Sequence, residues 1–301
     1  MRALLAVLAL AALTAGCGSS GSRSERGAPT PGSLEALWRH SGEAVALIPG
    51  TSDYSPGDVR ISFLVVDNRG RVVAPRTARV WIARSLTSRP FGRATATLER
   101  VGVPGVSVDS EVKGLYVAHV RVPAPGTYYV LARPTGHFRI GGIKELTVRA
   151  HSATPRVGAR AYPSRTPTIS STHGDLVLLT TRTPPDRNLL RYSIADSLRA
   201  HVPFVVTFAT PRYCSSRTCG PVVDVVDHVS RRFARRGMRF IHVEIYADND
   251  PGKGRNRWVR EWHLPSEPWT FLVGRDGRIK AKFDGSVSVV ELEKAIRADL
   301  H

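Results

Sequence analysis

VPFVVTFATPRYCSSRTCGPVVDVVDHVSRRF, residues 202–233, decides how the second half of the chain is read. VPFVVTFAT (202–210) is a continuous apolar run, as expected for a strand buried on both faces. Beyond Pro221, Val222, Val225, Val226, Val229 and Phe233 fall along one side of a helix. Strand alternation does not fit that run, so periodicity outweighs its valine-rich composition. Proline is tolerated in the first turn of a helix and costly deeper inside, so Pro221 sets a helix start near Cys219. The segment therefore reads as strand, turn, helix, with Cys214 and Cys219 on the turn.

Working outward, MRFIHVEIY (238–246) predicts a second buried strand, and RNRWVREWHL (255–264) a short helix with Trp258 and Trp262 one turn apart. PWTFLVGRDGRIKAKF predicts two strands joined by an Asp-Gly turn. A closing helix begins near Ser288, where Ser-x-x-Glu to Glu291 has the form of a capping box. Upstream, Leu189, Leu190, Ile194 and Leu198 give NLLRYSIADSLRAH (188–201) roughly helical spacing. This order predicts an α/β domain over 169–301, with helices on both sides of a central mixed sheet. HSATPRVGARAYPSRTPT (151–168), with three prolines and little apolar content, reads as an interdomain linker.

From 40 to 150 the grammar is different. VRISFLVVD (59–67), ARVWIA (78–83), GLYVAHVRV (114–122) and TYYVLAR (127–133) are short β-branched and aromatic runs separated by DNRGR, VPAPG and PTGH. Along the third run Tyr116, Ala118, Val120 and Val122 oppose Leu115, Val117, His119 and Arg121, as in a half-buried strand. About seven such strands predict an all-β antiparallel sandwich. Its architecture resembles the immunoglobulin-like modules of bacterial surface proteins, without a Cys-Trp-Cys core. His119 and His137 are possible metal ligands here, against the plainer reading of isolated surface histidines.

The chain opens MRALLAVLALAALTAGCGSS, with a basic Arg2 and an apolar run over residues 3–13 that is short for a spanning helix. This reads as an export signal over 1–16. LTAGC resembles a bacterial lipobox, although Thr14 stands where that family usually has Leu. The resemblance implies cleavage before Cys17 and lipid modification of that cysteine, with residues 17–39 as a flexible Gly/Ser/Pro-rich tether. The protein would then lie on the outer face of the cell membrane, held by a lipid anchor. The formal charge is +18, from 43 Lys+Arg against 25 Asp+Glu. Such a balance favours anionic partners. The arginines are scattered without aromatic interleaving, so acidic headgroups fit better than nucleic acid, and no nucleic-acid partner is expected.

With Cys17 assigned to lipid, Cys214 and Cys219 are the remaining pair, and an oxidising compartment favours a disulfide between them. A buried strand, a cysteine-bearing turn, Pro221 just inside a helix, and EPWTFLVGRDGRIKAKFDG some fifty residues later together resemble the thioredoxin superfamily. Pro268, Thr270, Phe271, Leu272, Asp276 and Gly277 match in order the proline-led strand and hairpin of its exported oxidoreductases. The resemblance implies a thioredoxin-like fold, catalytic roles for Cys214 and Cys219, and a cis Pro268 beside them that positions substrate. The partners it implies are thiols and disulfides of exported proteins, with no cofactor. Two departures stand out: the spacing is Cys-x4-Cys rather than Cys-x-x-Cys, and Thr207 lies where the family often has a buried acid.

A thiolate is the attacking species, so exchange needs a depressed thiol pKa and access. A helix N-terminus, Arg212 and Arg217 supply positive potential, while Asp224 within about one turn opposes it. Either Cys214 or Cys219 could attack, since Cys219-Gly220-Pro221 itself has the form of the family's Cys-Gly-Pro. Two other readings stay open. The disulfide could be a staple in a binding or structural lipoprotein, although closing a loop this short is worth only about 2 kcal/mol. Alternatively, the two thiolates and His263 could hold copper.

Overall fold

A computed structural model of the chain describes residues 28–39, 43–106, 112–136 and 140–299. The expected signal peptide, Cys17 and His137 lie outside these residues. The first unit contains α1 (Leu34–Arg39) and strands β1 (Glu43–Pro49), β2 (Gly57–Val66), β3 (Thr77–Ala83), β4 (Gly92–Arg100), β5 (Gly114–Val122), β6 (Gly126–Pro134) and β7 (Ile140–Val148). The strands follow the predicted alternation. Tyr116, Ala118, Val120 and Val122 of β5 enter the core with Ile61, Phe63 and Val65 of β2 and Tyr128, Val130 and Ala132 of β6.

The expected sandwich is corrected to a closed barrel of order β1-β2-β5-β4-β3-β6-β7. Parallel pairing of β1 with β7, from Glu43↔Ile140 to Ala46↔Ile143, closes it. Closure leaves no free sheet edge. Alternation did not distinguish the two architectures because both bury every second residue of each strand. Helix α1, inside the stretch read as tether, covers the outside of β3 and β6: Leu34 is buried with Trp81, Ala83 and Leu131.

The second unit contains α2 (Ile194–Arg199), β8 (Phe204–Phe208), α3 (Cys219–Phe233), β9 (Arg239–Val243), α4 (Arg257–Glu261), β10 (Trp269–Val273), β11 (Ile279–Asp284) and α5 (Val289–Asp299). Its sheet has the order β11-β10-β8-β9; β8 pairs parallel with β9 and antiparallel with β10. All five residues of β8 are buried. Val205 packs with Val222, Val225, Val226 and Val229 of α3 and with Leu292 and Ile296 of α5. Phe204, Val206 and Phe208 face the other way, toward Trp262, Trp269 and Phe271. The capping box forms as read: the Glu291 N–H donates to Ser288 Oγ (3.1 Å), and the Ser288 N–H to Glu291 Oε2 (3.2 Å).

The α/β thioredoxin-like fold, organised on a central mixed sheet with helices on both sides, is also corrected. The largest sheet is the barrel, and the second sheet is a small four-stranded one. Its two longer helices, α3 and α5, contribute to one and the same core. The opposite face is closed by α2 and α4, of six and five residues, and by irregular chain carrying Ala161, Tyr162 and Tyr192. The helix expected over 188–201 breaks into a 3₁₀ turn at Arg187–Leu190 and the short α2, with Ser193 capping α2 through the Asp196 N–H. Prolines 163, 167, 184 and 185 keep the chain before it out of helix.

Residues 151–168, read as linker, run packed along β11. The Gly158 N–H donates to Ile279 O (2.8 Å) and the Ile279 N–H to Ala159 O (2.9 Å). The barrel is pinned to β11 and α5 by ions. Arg60 forms a two-pronged pair with Glu291 (Nε–Oε1 2.7 Å, Nη2–Oε2 3.1 Å) and also donates to the Ser286 carbonyl (2.8 Å). Lys282 lies 3.4 Å from Asp53, whose carboxylate also accepts from the Ala153 N–H. Burial opposes ionisation of Asp53, but hydrogen bonds from Ser152 and Ala153 and the Lys282 charge outweigh it and hold the carboxyl below its ordinary range. Gly285 (φ 73°) sits where a side chain would collide with the Gly50 carbonyl.

Side chains of both Arg60 and Glu291 are nearly buried, at 10% and 13% exposure. Removing one member of such a pair strands the other without a counter-charge. Arg60→Ala should therefore lower unfolding free energy at neutral pH by about 3 kcal/mol. Denaturant titration checks this, and a loss below about 0.5 kcal/mol would show the junction to be no more than a surface pair.

Candidate functional site

Beyond β8 the chain stays beside the sheet for one more residue, the Ala209 N–H donating to Val243 O (3.0 Å). It then turns. The Tyr213 N–H donates to Thr210 O and the Arg217 N–H to Cys214 O (both 3.3 Å), with Arg217 at φ 56°. Helix α3 begins at Cys219, which is disulfide-bonded to Cys214 across a Cα–Cα distance of 5.9 Å. The two sulfurs are not equivalent. Cys219 is fully buried among the valines of α3, whereas Cys214 is half-buried on a turn whose Arg212, Tyr213, Ser215, Ser216 and Arg217 are exposed. The Cys219 N–H donates to Cys214 Sγ (3.2 Å), and Ser216 Oγ lies 3.3 Å from the same sulfur.

Asp224, expected to oppose a thiolate, is itself paired: Arg182 reaches its Oδ1 from both Nε (3.0 Å) and Nη2 (2.5 Å). Thr207, in the acid's expected place, spends its hydroxyl on Thr270 Oγ1 across the β8–β10 pair (3.1 Å). Pro268 is buried, and its bond to Glu267 is cis. The register Trp269↔Phe208 places it at the same end of the sheet as the cysteine turn. Its carbonyl accepts the Gly285 N–H (2.9 Å).

Two buried polar residues at this end of the sheet were not singled out from sequence. Strand alternation puts Phe240, His242 and Glu244 on the α3 side of β9. His242 and Glu244 are buried. His242 Nε2 lies 3.0 Å from the Ala209 carbonyl, which can only accept, so Nε2 carries a proton. Burial pushes the imidazole pKa below its usual range, leaving the ring neutral. Glu244 Oε1 accepts both the Thr181 N–H (2.6 Å) and the Thr181 hydroxyl (2.8 Å). Its Oε2 is buried with no hydrogen-bond partner. Thr181 Oγ1 in turn accepts the Arg212 N–H (3.2 Å), two residues before Cys214. The sequence signal was available: His and Glu occupy alternate positions in IHVEIY, where a strand buried on both faces should be apolar.

Thr181 belongs to an irregular strap, residues 179–186, that crosses from the end of β9 to α3. Arg182 ties it down through Asp224 and lies 3.0 Å from Asp186. Burial, with Asp227 and Asp224 nearby, pushes the Asp186 carboxyl up to about 6 against the pull of Arg182 and Arg231.

Among the described residues no group of three His, Cys, Asp or Glu is placed to hold a metal ion. His263 is exposed and packs edge-on against Tyr162. His119 is exposed, 3.7 Å from Asp58. No helix among these residues is long and apolar enough to cross a membrane. No protein-family model matches the chain, and no curated protein matches it.

Asp186 gives the strap a pH dependence of definite sign. Its folded pKa, about 6, lies above the ordinary 3.8, so between these values the folded state binds more protons than the unfolded one. The contribution of Asp186 to stability then falls as pH rises from about 4 to about 6. Asp186→Asn should flatten that stretch of the curve and leave the variant at least as stable as the parent at pH 7. Unfolding midpoints measured from pH 4 to 7.5 check this; an unchanged slope would count against the assignment.

Proposed function

We propose that the protein is a thiol–disulfide exchange protein acting on polypeptide thiols and disulfides outside the cytoplasm, held at the membrane by lipid on Cys17. The observation that carries the reading is the asymmetry of the pair: Cys214 is half-exposed on an open turn and Cys219 is buried at the start of α3. An incoming thiolate can reach Cys214 Sγ while Cys219 Sγ is shielded.

In the reducing direction, the Cys214 thiolate attacks a partner disulfide, forming a mixed disulfide and releasing one partner thiolate, which takes up a proton. Cys219, once deprotonated, attacks Cys214 Sγ, closes the 214–219 bond and releases the second partner thiolate. Two electrons pass from the cysteine pair to the partner. The opposite direction runs the same steps in reverse. The Cys219 N–H, donating to Cys214 Sγ, is placed to stabilise the Cys214 thiolate, and the α3 N-terminus adds positive potential. The basic charge of +18 suits both anionic headgroups and acidic polypeptides.

The complete burial of Cys219 also favours a second reading, in which the bond is a staple. The two separate cleanly by experiment. Cys219→Ser should leave Cys214 able to form mixed disulfides that cannot resolve, so partners remain covalently attached and are released by reductant. Cys214→Ser should trap little, because the remaining thiol is buried. The wild-type pair should have a reduction potential between about −120 and −270 mV; a value below about −300 mV with nothing trapped by either variant would establish the staple.

A further inference from the structure

We propose that Glu244 is a positioning residue for the cysteine pair, acting through Thr181 to clamp the turn that carries Cys214. The inference rests on Cys214–Cys219 being a bond that opens and closes.

The placement follows from topology. Strands β8 and β9 are parallel, so Glu244, immediately after β9, lies at the end of the sheet from which the 210–218 turn departs and where α3 begins. Glu244 shares the α3 side of β9 with Phe240, and Phe240 packs in the same core as Cys219. Cys219 is anchored by that core and cannot move without disturbing α3. Cys214 packs only against the edge of that core, being partly buried, and its neighbour Tyr213 meets the Tyr246 ring edge-on. The turn's own hydrogen bonds, Tyr213 to Thr210 and Arg217 to Cys214, are internal and fix its shape rather than its place. The Arg212 N–H, however, donates to Thr181 Oγ1, and Thr181 is held by two hydrogen bonds to a single buried carboxylate oxygen. Glu244, Thr181 and the Arg212 backbone thus form one chain of contacts between the end of β9 and the residue two before Cys214. The other charges around this chain are already paired across the strap and α3, Arg182 with Asp224 and Asp186, and Arg231 with Asp227. His242 is neutral and occupied by the Ala209 carbonyl.

An intramolecular disulfide is stable in proportion to the effective concentration of its two thiols. A clamp that keeps Cys214 over the start of α3 raises that concentration, and loosening it makes the bond easier to reduce. With dithiothreitol as reductant, the 214–219 bond breaks, both sulfurs take up protons, and the reagent is oxidised to its cyclic disulfide. The equilibrium constant of this reaction reads the clamp, and a residue that only supports the fold does not move it while both the disulfide and dithiol forms stay folded, which circular dichroism of the two forms checks.

Thr181→Val keeps the shape of the side chain and the backbone N–H bond to Glu244, but loses the hydroxyl that accepts from Arg212 and donates to Glu244. It should shift the constant toward the dithiol about fivefold, the scale of one neutral hydrogen bond. Glu244→Ala should shift it in the same direction, and the double variant should exceed either single one little, because the contacts lie in series. Glu244→Gln retains an acceptor oxygen for Thr181 and should stay within about twofold of the parent. Constants within twofold of the parent for Thr181→Val would overturn the proposal, as would a Gln variant shifted as far as Ala. Should Glu244→Ala fail to fold, the near-isosteric Thr181→Val still decides the matter. Trapping that fails while the constant shifts would remove exchange and leave the clamp. Trapping that succeeds while the constant stays would remove the clamp alone.

Discussion

The burial of all five residues of β8 governs the second unit. A strand with no exposed face needs cover on both sides, and this chain supplies it unequally. On one side α3 and α5 bring a row of valines, a leucine and an isoleucine. On the other, two short helices and a proline-rich stretch bring aromatic residues, with Trp262 within 5.1 Å of the Phe208 ring and 4.9 Å of Phe271. Large rings let a thin layer of irregular chain do the work of a helix, since each buries far more area than an aliphatic side chain. The polar Thr207 survives inside because Thr270 faces it in register and satisfies its hydroxyl.

The same requirement draws the barrel into the structure. Val103, from the loop after β4, joins the core shared by α3 and α5, so the second unit borrows part of its cover from the first. Charges then fix the docking angle. Arg60 makes four hydrogen bonds to Glu291 and to the carbonyls of Asp284 and Ser286, and Lys282 meets Asp53, Ser152 and Thr154. Buried ions of this kind contribute little net stability compared with apolar residues, but they accept only one arrangement of partners. Apolar cover supplies the attraction between the units and the ions supply its geometry.

Legibility in the sequence followed the range of the forces involved. Elements set by local periodicity were readable: four of the barrel strands (β2, β3, β5 and β6), β8 to β11, α3 from its valine stripe, and the Ser288–Glu291 cap. Closure of the barrel was not, because the parallel pairing of β1 with β7 joins residues almost a hundred positions apart and leaves alternation unchanged. The helix expected at 188–201 failed where Ser193, a better cap than interior residue, restarted it. The α/β reading with helices on both sides failed because apolar spacing in short segments does not say whether a helix or an aromatic loop will cover a sheet. For the site, the cysteines and Pro268 were visible as residue types, whereas the strap was not, since nothing local links Thr181 to Glu244 or to Arg212.

Buried polar residues occur throughout this unit, Ser197, Thr207, Asn256 and Thr270 among them, but few of them carry an acidic or imidazole side chain. His242, Glu244, Thr180 and Asp227 are buried, and Asp186 lies close by. His242 and Glu244 lie at the end of the sheet where the cysteine turn departs, and Asp227 lies further along α3, beside Asp186. Burying a polar group is costly unless it is fully hydrogen-bonded, and Glu244 Oε2 has no hydrogen-bond partner. Apolar residues at 242 and 244 would pack β9 against α3 more cheaply. A fold optimised only for stability would have them, and in their place the chain keeps a neutral imidazole, a carboxylate and the Thr181 contacts that lead to the turn. Breaches of local rules concentrated at one place mark where a protein gives up stability for something else. Here the Glu244 carboxyl reaches, through Thr181, the backbone of the turn that carries the half-buried Cys214.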